Sequence, residues 1–263
     1  MFEAVVLGVA QGITEWLPIS SEGVLVLLQA NLFPGKEFIE MVRLALFLHI
    51  GTFLAALVYF REDVLRLLKA LVRYRHAQEE TQIILKFLFI TSIMSGVIGV
   101  FLFSSLEAIV GSAGLGVQVI TGGIGVLLVG TAALQLKAKK GGHKKPRELV
   151  HVDGVLLGLV QGLAALPGFS RSGLTISALL LRNFDELHAL RLSFLMSIPA
   201  VLGANIILNL QHTIISIEAL VGVFVSFVFG IFTIHVLLTF ARKVNFGYFI
   251  LVFGFLTLGA AFV

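Results

Sequence analysis

The sequence predicts an all-α polytopic membrane protein, with six transmembrane helices and two re-entrant helical hairpins arranged as an inverted-topology repeat. Three observations predict it. Of 263 residues, 58% are hydrophobic and only 13% charged, a balance too apolar for a soluble domain of this length. The apolar pattern is broken twice by Gly, Pro, Ser and a charged residue, in QGITEWLPISSEG at 11–23 and QGLAALPGFSRSG at 161–173. Finally, every Lys and Arg except Lys36, Arg43 and Arg171 falls on one side of the spans that the apolar runs define.

Residues 2–33 are apolar but interrupted at Gly12, Pro18 and Gly23 and closed by Asn31, Pro34 and Gly35. Each arm is shorter than the roughly 20 residues that cross a bilayer, so the segment predicts a re-entrant hairpin. A span follows at about 42–60, then a charged loop with Arg61, Arg66, Lys69, Arg73 and Arg75. Further spans are expected at about 82–103 and 114–136. The stretch KAKKGGHKKPR at 137–147 reads as a solvated linker. A second broken hairpin at about 151–182 leads to spans near 187–209, 217–240 and 246–262.

The two halves echo each other. LGVAQG at 7–12 lies over LGLVQG at 157–162, and RLALFLHIG at 43–51 over RLSFLMSIP at 191–199. The expected organisation is a first repeat at 1–136, a basic linker at 137–150 and a second repeat at 151–263, within one membrane domain. A hairpin that returns to its own side, followed by three spans, inverts the second half relative to the first. By the positive-inside rule the crowded side, including the linker, is cytoplasmic and both termini lie outside.

Composition also excludes. There is no cysteine, hence no disulfide, thiolate metal site or Cys nucleophile. The first residues lack the basic n-region of a signal peptide, so the first apolar stretch is expected to belong to the fold. The formal charge of +4 reflects loop placement in a membrane protein and implies no nucleic-acid partner.

Broken helices of inverted repeats bring their polar tips together near the midplane, so residues 11–23 and 167–175 should meet. An unpaired Arg at that depth costs at least about 2.5 kcal/mol, so Arg171 reads as functional, with a salt bridge to Glu15 as its duller role. Arg171 can hold a phosphate bidentately, with Ser170, Ser172 and Thr175 beside it and with Gly168 and Gly173 admitting close backbone approach. The helix beginning near Gly173 would add its positive end. Gln11 and Glu15 share a helical face, where they can bind a divalent ion or orient a nucleophile. Ser21, next to Ser20, can attack phosphorus. Glu22 reads as reaching the aqueous mouth, Asn205 and Asn209 as interhelical polar contacts, and Trp16 as an interfacial anchor or a wall against the lipid.

These residues resemble the undecaprenyl pyrophosphate phosphatase family, membrane enzymes linked to bacitracin resistance. The family's (Glu/Gln)-x-x-x-Glu element running into Pro-x-Ser-Ser is met by Gln11, Glu15, Pro18, Ser20 and Ser21. Its Pro-Gly-x-Ser-Arg-Ser-x-x-Thr element is met by Pro167, Gly168, Ser170, Arg171, Ser172 and Thr175. The resemblance covers essentially the whole chain. It implies removal of the terminal phosphate from a C55-type polyprenyl diphosphate, dependence on a divalent cation, Mg²⁺ or Ca²⁺, and a site open to the extracytoplasmic side. One position departs: where the family continues Ser-Ser-x-Gly-His, this chain has Val24, which cannot move a proton. Glu15 or Glu22 is then left as base, and His49, where the family more often has Gln, is a candidate replacement or a helix-packing residue.

The reading is therefore an integral membrane phosphatase whose partners are a polyprenyl diphosphate lipid and the membrane, with no nucleic acid; a homodimer is left open. Catalysis is assigned to Glu15, Ser21, Arg171 and His49, phosphate binding to Ser20, Ser170, Arg171, Ser172, Thr175, Gly168 and Gly173, and the cation to Gln11 and Glu15. The alternative is a transporter that flips a polyprenyl phosphate or a small anion by alternating access.

Overall fold

A computed structural model describes residues 1–113, 117–138, 141–209, 216–240 and 246–262. The described residues form eleven helices. The first half holds α1 (Phe2–Thr14), α2 (Ser21–Leu32), α3 (Phe38–Tyr59), α4 (Arg61–Val72), α5 (Glu79–Ala113) and α6 (Val117–Lys137). The second holds α7 (His151–Leu163), α8 (Arg171–Leu181), α9 (Glu186–Ala204), α10 (Ile217–Phe240) and α11 (Phe246–Ala260).

Five of these, α3, α5, α6, α9 and α10, are long and apolar enough to cross a bilayer. The expected sixth span, α11, has 15 described residues, about 22 Å at 1.5 Å per residue. Helices α1, α2, α7 and α8 are 11 to 13 residues long, the short arms the sequence suggested. Two boundaries differ from expectation. The span placed at 82–103 is a 35-residue helix, α5, about 52 Å long, so the short loop expected at 104–113 is its continuation. The loop at 61–75 is mostly α4, whose apolar Leu65, Leu68 and Leu71 alternate with Arg66 and Lys69. Lys139, Lys140, Arg242 and Lys243, part of the charge argument, lie outside the described residues, as does most of the loop expected at 210–216.

Local chemistry explains the ends. Pro18 has no N–H to continue α1, and Ser20 restarts the chain as the N-cap of α2, its Oγ accepting from Gly23 N at 3.1 Å. Ser170 does the same for α8, accepting from Gly173 N at 3.1 Å. The side chain of Asp185 caps α9 at Leu187 N and His188 N. Within α9, Pro199 removes a backbone donor, and the helix relaxes into a π-helical turn at Asn205–Asn209. Asn205 joins that turn to α3, donating to Leu46 O at 3.0 Å.

The echoed segments do one packing job twice. A Cβ on Gly8 or Gly12 would sit within 3 Å of Gly222 O or Ser226 O, so α1 lies backbone to backbone on α10. Gly158 and Gly162 stand in the same relation to Thr91, Met94 and Ile98 of α5, bringing α7 onto it. Small residues four apart permit this approach in both halves. Ion pairs tie the elements together. Asp63 of α4 is buried between Arg66 and Arg191, and Arg182 donates to Asp153 at 2.7 Å. Lys36 pairs with Glu3, and Arg43 with Glu107 at 2.6 Å.

Gly12→Leu and Gly158→Leu should each cost about 1–3 kcal/mol by overpacking, whereas Gly96→Ala and Gly203→Ala, with nothing within 4 Å of a Cβ, should be near neutral. Thermal unfolding in detergent compares them; equal effects at all four positions would contradict the packing.

Candidate functional site

The two tips meet. Arg171, the first residue of α8, pairs through its Nη2 with Glu15 Oε1, and its Nη1 lies 3.4 Å from Ser193 O. Trp16 backs the guanidinium at 5.9 Å and packs edge-on against Phe194. It is 1% exposed, so it is neither an interfacial anchor nor a lipid wall but a support for Arg171.

Glu15 is the hub of the site. Its Oε2 accepts from Ser21 Oγ at 2.8 Å and from Gln11 Nε2 at 3.0 Å, and lies 2.9 Å from His49 Nε2. His49 Nε2 is also 3.4 Å from Ser21 Oγ, and its Nδ1 is 2.7 Å from Ala45 O. A carbonyl can only accept, so Nδ1 carries a proton. Glu15 is thus clasped by a guanidinium, an imidazole and a hydroxyl. Gln11 extends the cluster to Thr52 Oγ1 at 3.4 Å.

The hydroxyls of both tips hold the tips together. Ser20 Oγ accepts from Gly168 N at 3.0 Å as well as from Gly23 N, and Ser172 Oγ donates to Leu17 O at 2.9 Å. Gly168 has φ 113°, open to glycine alone among common residues, and a Cβ there would strike Ile124; one on Gly173 would strike Thr131 and Pro18 O. The N–H groups of Gly168 and Gly173 are thus taken by Ser20 and Ser170. Thr175 donates to Arg171 O and meets Ser193 Oγ at 2.7 Å. Thr175, Gly168, Gly173 and Gln11 stand behind the cavity wall, whereas Glu15, Ser20, Ser21, Glu22, His49, Ser170, Arg171 and Ser172 line it.

That cavity measures roughly 410 Å³. From the polar floor it runs between Phe89–Phe103 of α5 and Pro199–Leu208 of α9 and its π-helical turn, a mostly apolar wall interrupted by Ser92, Ser95 and Asn205. The floor has two helix N-termini, those of α2 and α8, both of which favour an anion. With a guanidinium, an imidazole and a hydroxyl beside them, the arrangement can capture a phosphate group carrying an apolar substituent.

Two lining residues were under-read. Glu22 is 7% exposed, not at an aqueous mouth, and makes no hydrogen bond or ion pair with another described residue. Gln161, the counterpart of Gln11, donates to Ser95 Oγ at 3.1 Å and keeps its Oε1 buried and unpartnered. The signal for Gln161 was present in the QG echo; that for Glu22 was only an acid in an apolar run.

Comparison with known proteins follows the same line. Residues 4–259 match the family model described as bacitracin resistance protein BacA. A relative from Methanococcoides burtonii named undecaprenyl-diphosphatase is 41% identical over 99% of this chain and 98% of its own. Relatives of the same name from Haloarcula marismortui and Methanothrix thermoacetophila are 40% and 37% identical, over 95% and 97% of this chain and 93% and 95% of theirs.

Ser20→Ala frees two buried amides, whereas Ser170→Ala frees one. The former should cost about 2–3 kcal/mol and the latter about 1–2. Chemical unfolding of the purified protein gives both values, and the reverse order would show that Ser20 does not clasp the tips.

Proposed function

The chain belongs to the bacitracin resistance protein BacA family, and from that premise we infer that it is a multi-pass membrane undecaprenyl-diphosphatase, releasing phosphate from a polyprenyl diphosphate and returning the lipid carrier as its monophosphate. The observation that carries the reading is the joining of Glu15 and Arg171 across the tips, next to Ser21 and His49, at the floor of an otherwise apolar cavity.

The terminal phosphate binds at the floor, against the N-termini of α2 and α8, with Ser20, Ser170 and Ser172 around it. Arg171 moves part of its charge from Glu15 to the phosphate oxygens, where it stabilises charge developing in transfer. That exchange releases Glu15 from its guanidinium partner. Ser21 Oγ, already donating to Glu15, attacks phosphorus as its proton passes to Glu15. The bridging P–O bond breaks and its electrons leave with the polyprenyl monophosphate. Water then cleaves the phosphoserine ester, giving inorganic phosphate and restoring the Ser21 hydroxyl. His49, in contact with both Glu15 and Ser21, holds the carboxylate in place in a chain where the family's usual His is Val24.

The cation fits the oxygen chemistry of the floor. The site offers hard oxygens, which suit Mg²⁺ or Ca²⁺. Gln11 Oε1 is buried and unpartnered, whereas Glu15 is already held by Arg171, Ser21 and His49. No group of three His, Cys, Asp or Glu residues among the described residues could hold a metal alone, so the ion would be shared with the diphosphate. When bound, it supplies charge neutralisation of the phosphate oxygens.

The architecture that supports this chemistry is six spans, with α11 as the sixth, and two re-entrant hairpins in inverted repeats at 1–136 and 151–263, joined by the basic linker at 137–150. The cavity draws on the middle of α5 and on the half of α9 that lies away from Asp63 and Arg191. This favours an opening on the extracytoplasmic face of the cell membrane. The prenyl chain leaves sideways between α5 and α9, past Gly96 and Gly203, which border open space.

Detergent-purified protein should release phosphate from a C55 polyprenyl diphosphate. Arg171→Ala should lower kcat/KM by about 10³-fold, comparable to loss of a transition-state donor, and His49→Ala by about 10²-fold. An unaltered rate in His49→Ala removes that residue from the reaction. Lipid-phosphate transfer in vesicles without phosphate release, at any cation concentration, would favour the transporter. For the groove, Gly96→Trp and Gly203→Trp should reduce kcat/KM about tenfold or more for a C55 substrate and leave a C10 diphosphate unaffected; equal losses for both chain lengths would place the tail elsewhere.

A further inference from the structure

Among the described residues, only two acids line the cavity, Glu15 and Glu22, and their surroundings differ completely. Glu15 has the guanidinium and the imidazole of the floor gathered around it. Glu22, in the first turn of α2, is 7% exposed and makes no hydrogen bond or ion pair with another described residue, although it lies within electrostatic reach of both Glu15 and His49.

A helix N-terminus favours an acid in its first turn, but by only about 0.3–1 kcal/mol at exposed sites. That does not offset burying an unpartnered carboxylate, whose desolvation cost is several kcal/mol. The position is more demanding still, because this cavity is the one that receives a diphosphate. A bare carboxylate on its wall repels the substrate unless a proton or a cation neutralises it, and only a cation also attracts the diphosphate. The protein's own basic groups do not meet this need: Arg171 and His49 both point at Glu15. The other unpartnered oxygen on the wall, Gln161 Oε1, is neutral and brings no countercharge.

We propose that Glu22 is the protein's anionic ligand for the divalent cation that accompanies the diphosphate in this cavity, in preference to the Gln11–Glu15 pair. The proposal rests on the cation-dependent reading given above. Mg²⁺ and its analogues commonly take one or two carboxylates and complete their shell with water and substrate phosphates. One free carboxylate at the cavity wall is therefore a sufficient protein contribution, and an ion held by it would supply charge neutralisation to the phosphate oxygens. Glu15 is left to Ser21.

The test is Mn²⁺ binding to the purified protein in detergent, followed by the fall of the free-ion electron paramagnetic resonance signal, alone and with methylenediphosphonate as a non-hydrolysable diphosphate. Wild-type protein should bind Mn²⁺, displaceable by Mg²⁺. Glu22→Gln should weaken binding by about tenfold or more, Glu22→Asp should recover part of it, and Gln11→Leu should bind as wild type. A Glu22→Gln protein with wild-type Mn²⁺ affinity overturns the proposal while leaving the phosphatase reading intact. Absence of Mn²⁺ binding by the wild type under both conditions overturns the proposal and the cation dependence together, without touching phosphate release measured in chelator. Should Glu22→Gln not fold, Glu22→Ala is read by the same criterion.

Discussion

The ion pair between Glu15 and Arg171 is the constraint around which the rest of the molecule is arranged. Each residue sits at the end of a helix too short to cross a bilayer, and neither charge could be left there alone without a large desolvation cost. Pairing them fixes where the two hairpins must meet. The surrounding polar groups then follow: Ser20 and Ser172 tie one tip to the backbone of the other, Trp16 braces the guanidinium, and Ser21 and His49 complete the shell of the carboxylate. A buried ion pair of this kind adds little net stability. Its value is specificity of arrangement, together with a guanidinium that can exchange one anion for another.

Much of this was legible in the sequence because membrane burial makes polar residues conspicuous. Arg171 and Glu15 stood out in apolar surroundings, and the QG echo with its Pro, Ser and Gly residues marked the tips. His49 was visible for the same reason, as an imidazole in a span, and it contacts both Ser21 and Glu15. Less legible was how hydroxyls and amides divide between holding the protein and facing a ligand. Ser20, Ser170 and the amides of Gly168 and Gly173 look alike in sequence to phosphate ligands, but the first demand on them is to cap two helices and join two tips. Gly8, Gly12, Gly158 and Gly162 read as motif spacing; only the approach of α1 to α10 and of α7 to α5 gives them their steric meaning.

Helix boundaries were the least legible. Hydropathy cannot separate the end of a span from the end of a helix, so α5 runs ten residues past the expected boundary at 103. The charged stretch after α3 became a helix because its leucines return at intervals of three, a pattern overshadowed by its arginines. Pro199 could be noticed as a proline in a span, but the π-helical turn beyond it and their shared place in the cavity wall could not.

Ser21 and Arg171 are each the first residue of a helix, each follow a capping serine and each precede a glycine by two positions; with LGVAQG set over LGLVQG they fall at the same station of the two hairpins. A scaffold with matching halves thus carries opposite chemical roles at one address, a hydroxyl in one copy and a guanidinium in the other. Two identical hairpins facing each other would juxtapose like with like, two hydroxyls or two repelling guanidinium groups. The arrangement of this site therefore depends on divergence between the copies, at this position and at Glu15, whose counterpart is Ala165, and exchanging Ser21 and Arg171 would measure how far the rest of each hairpin has adapted to its own.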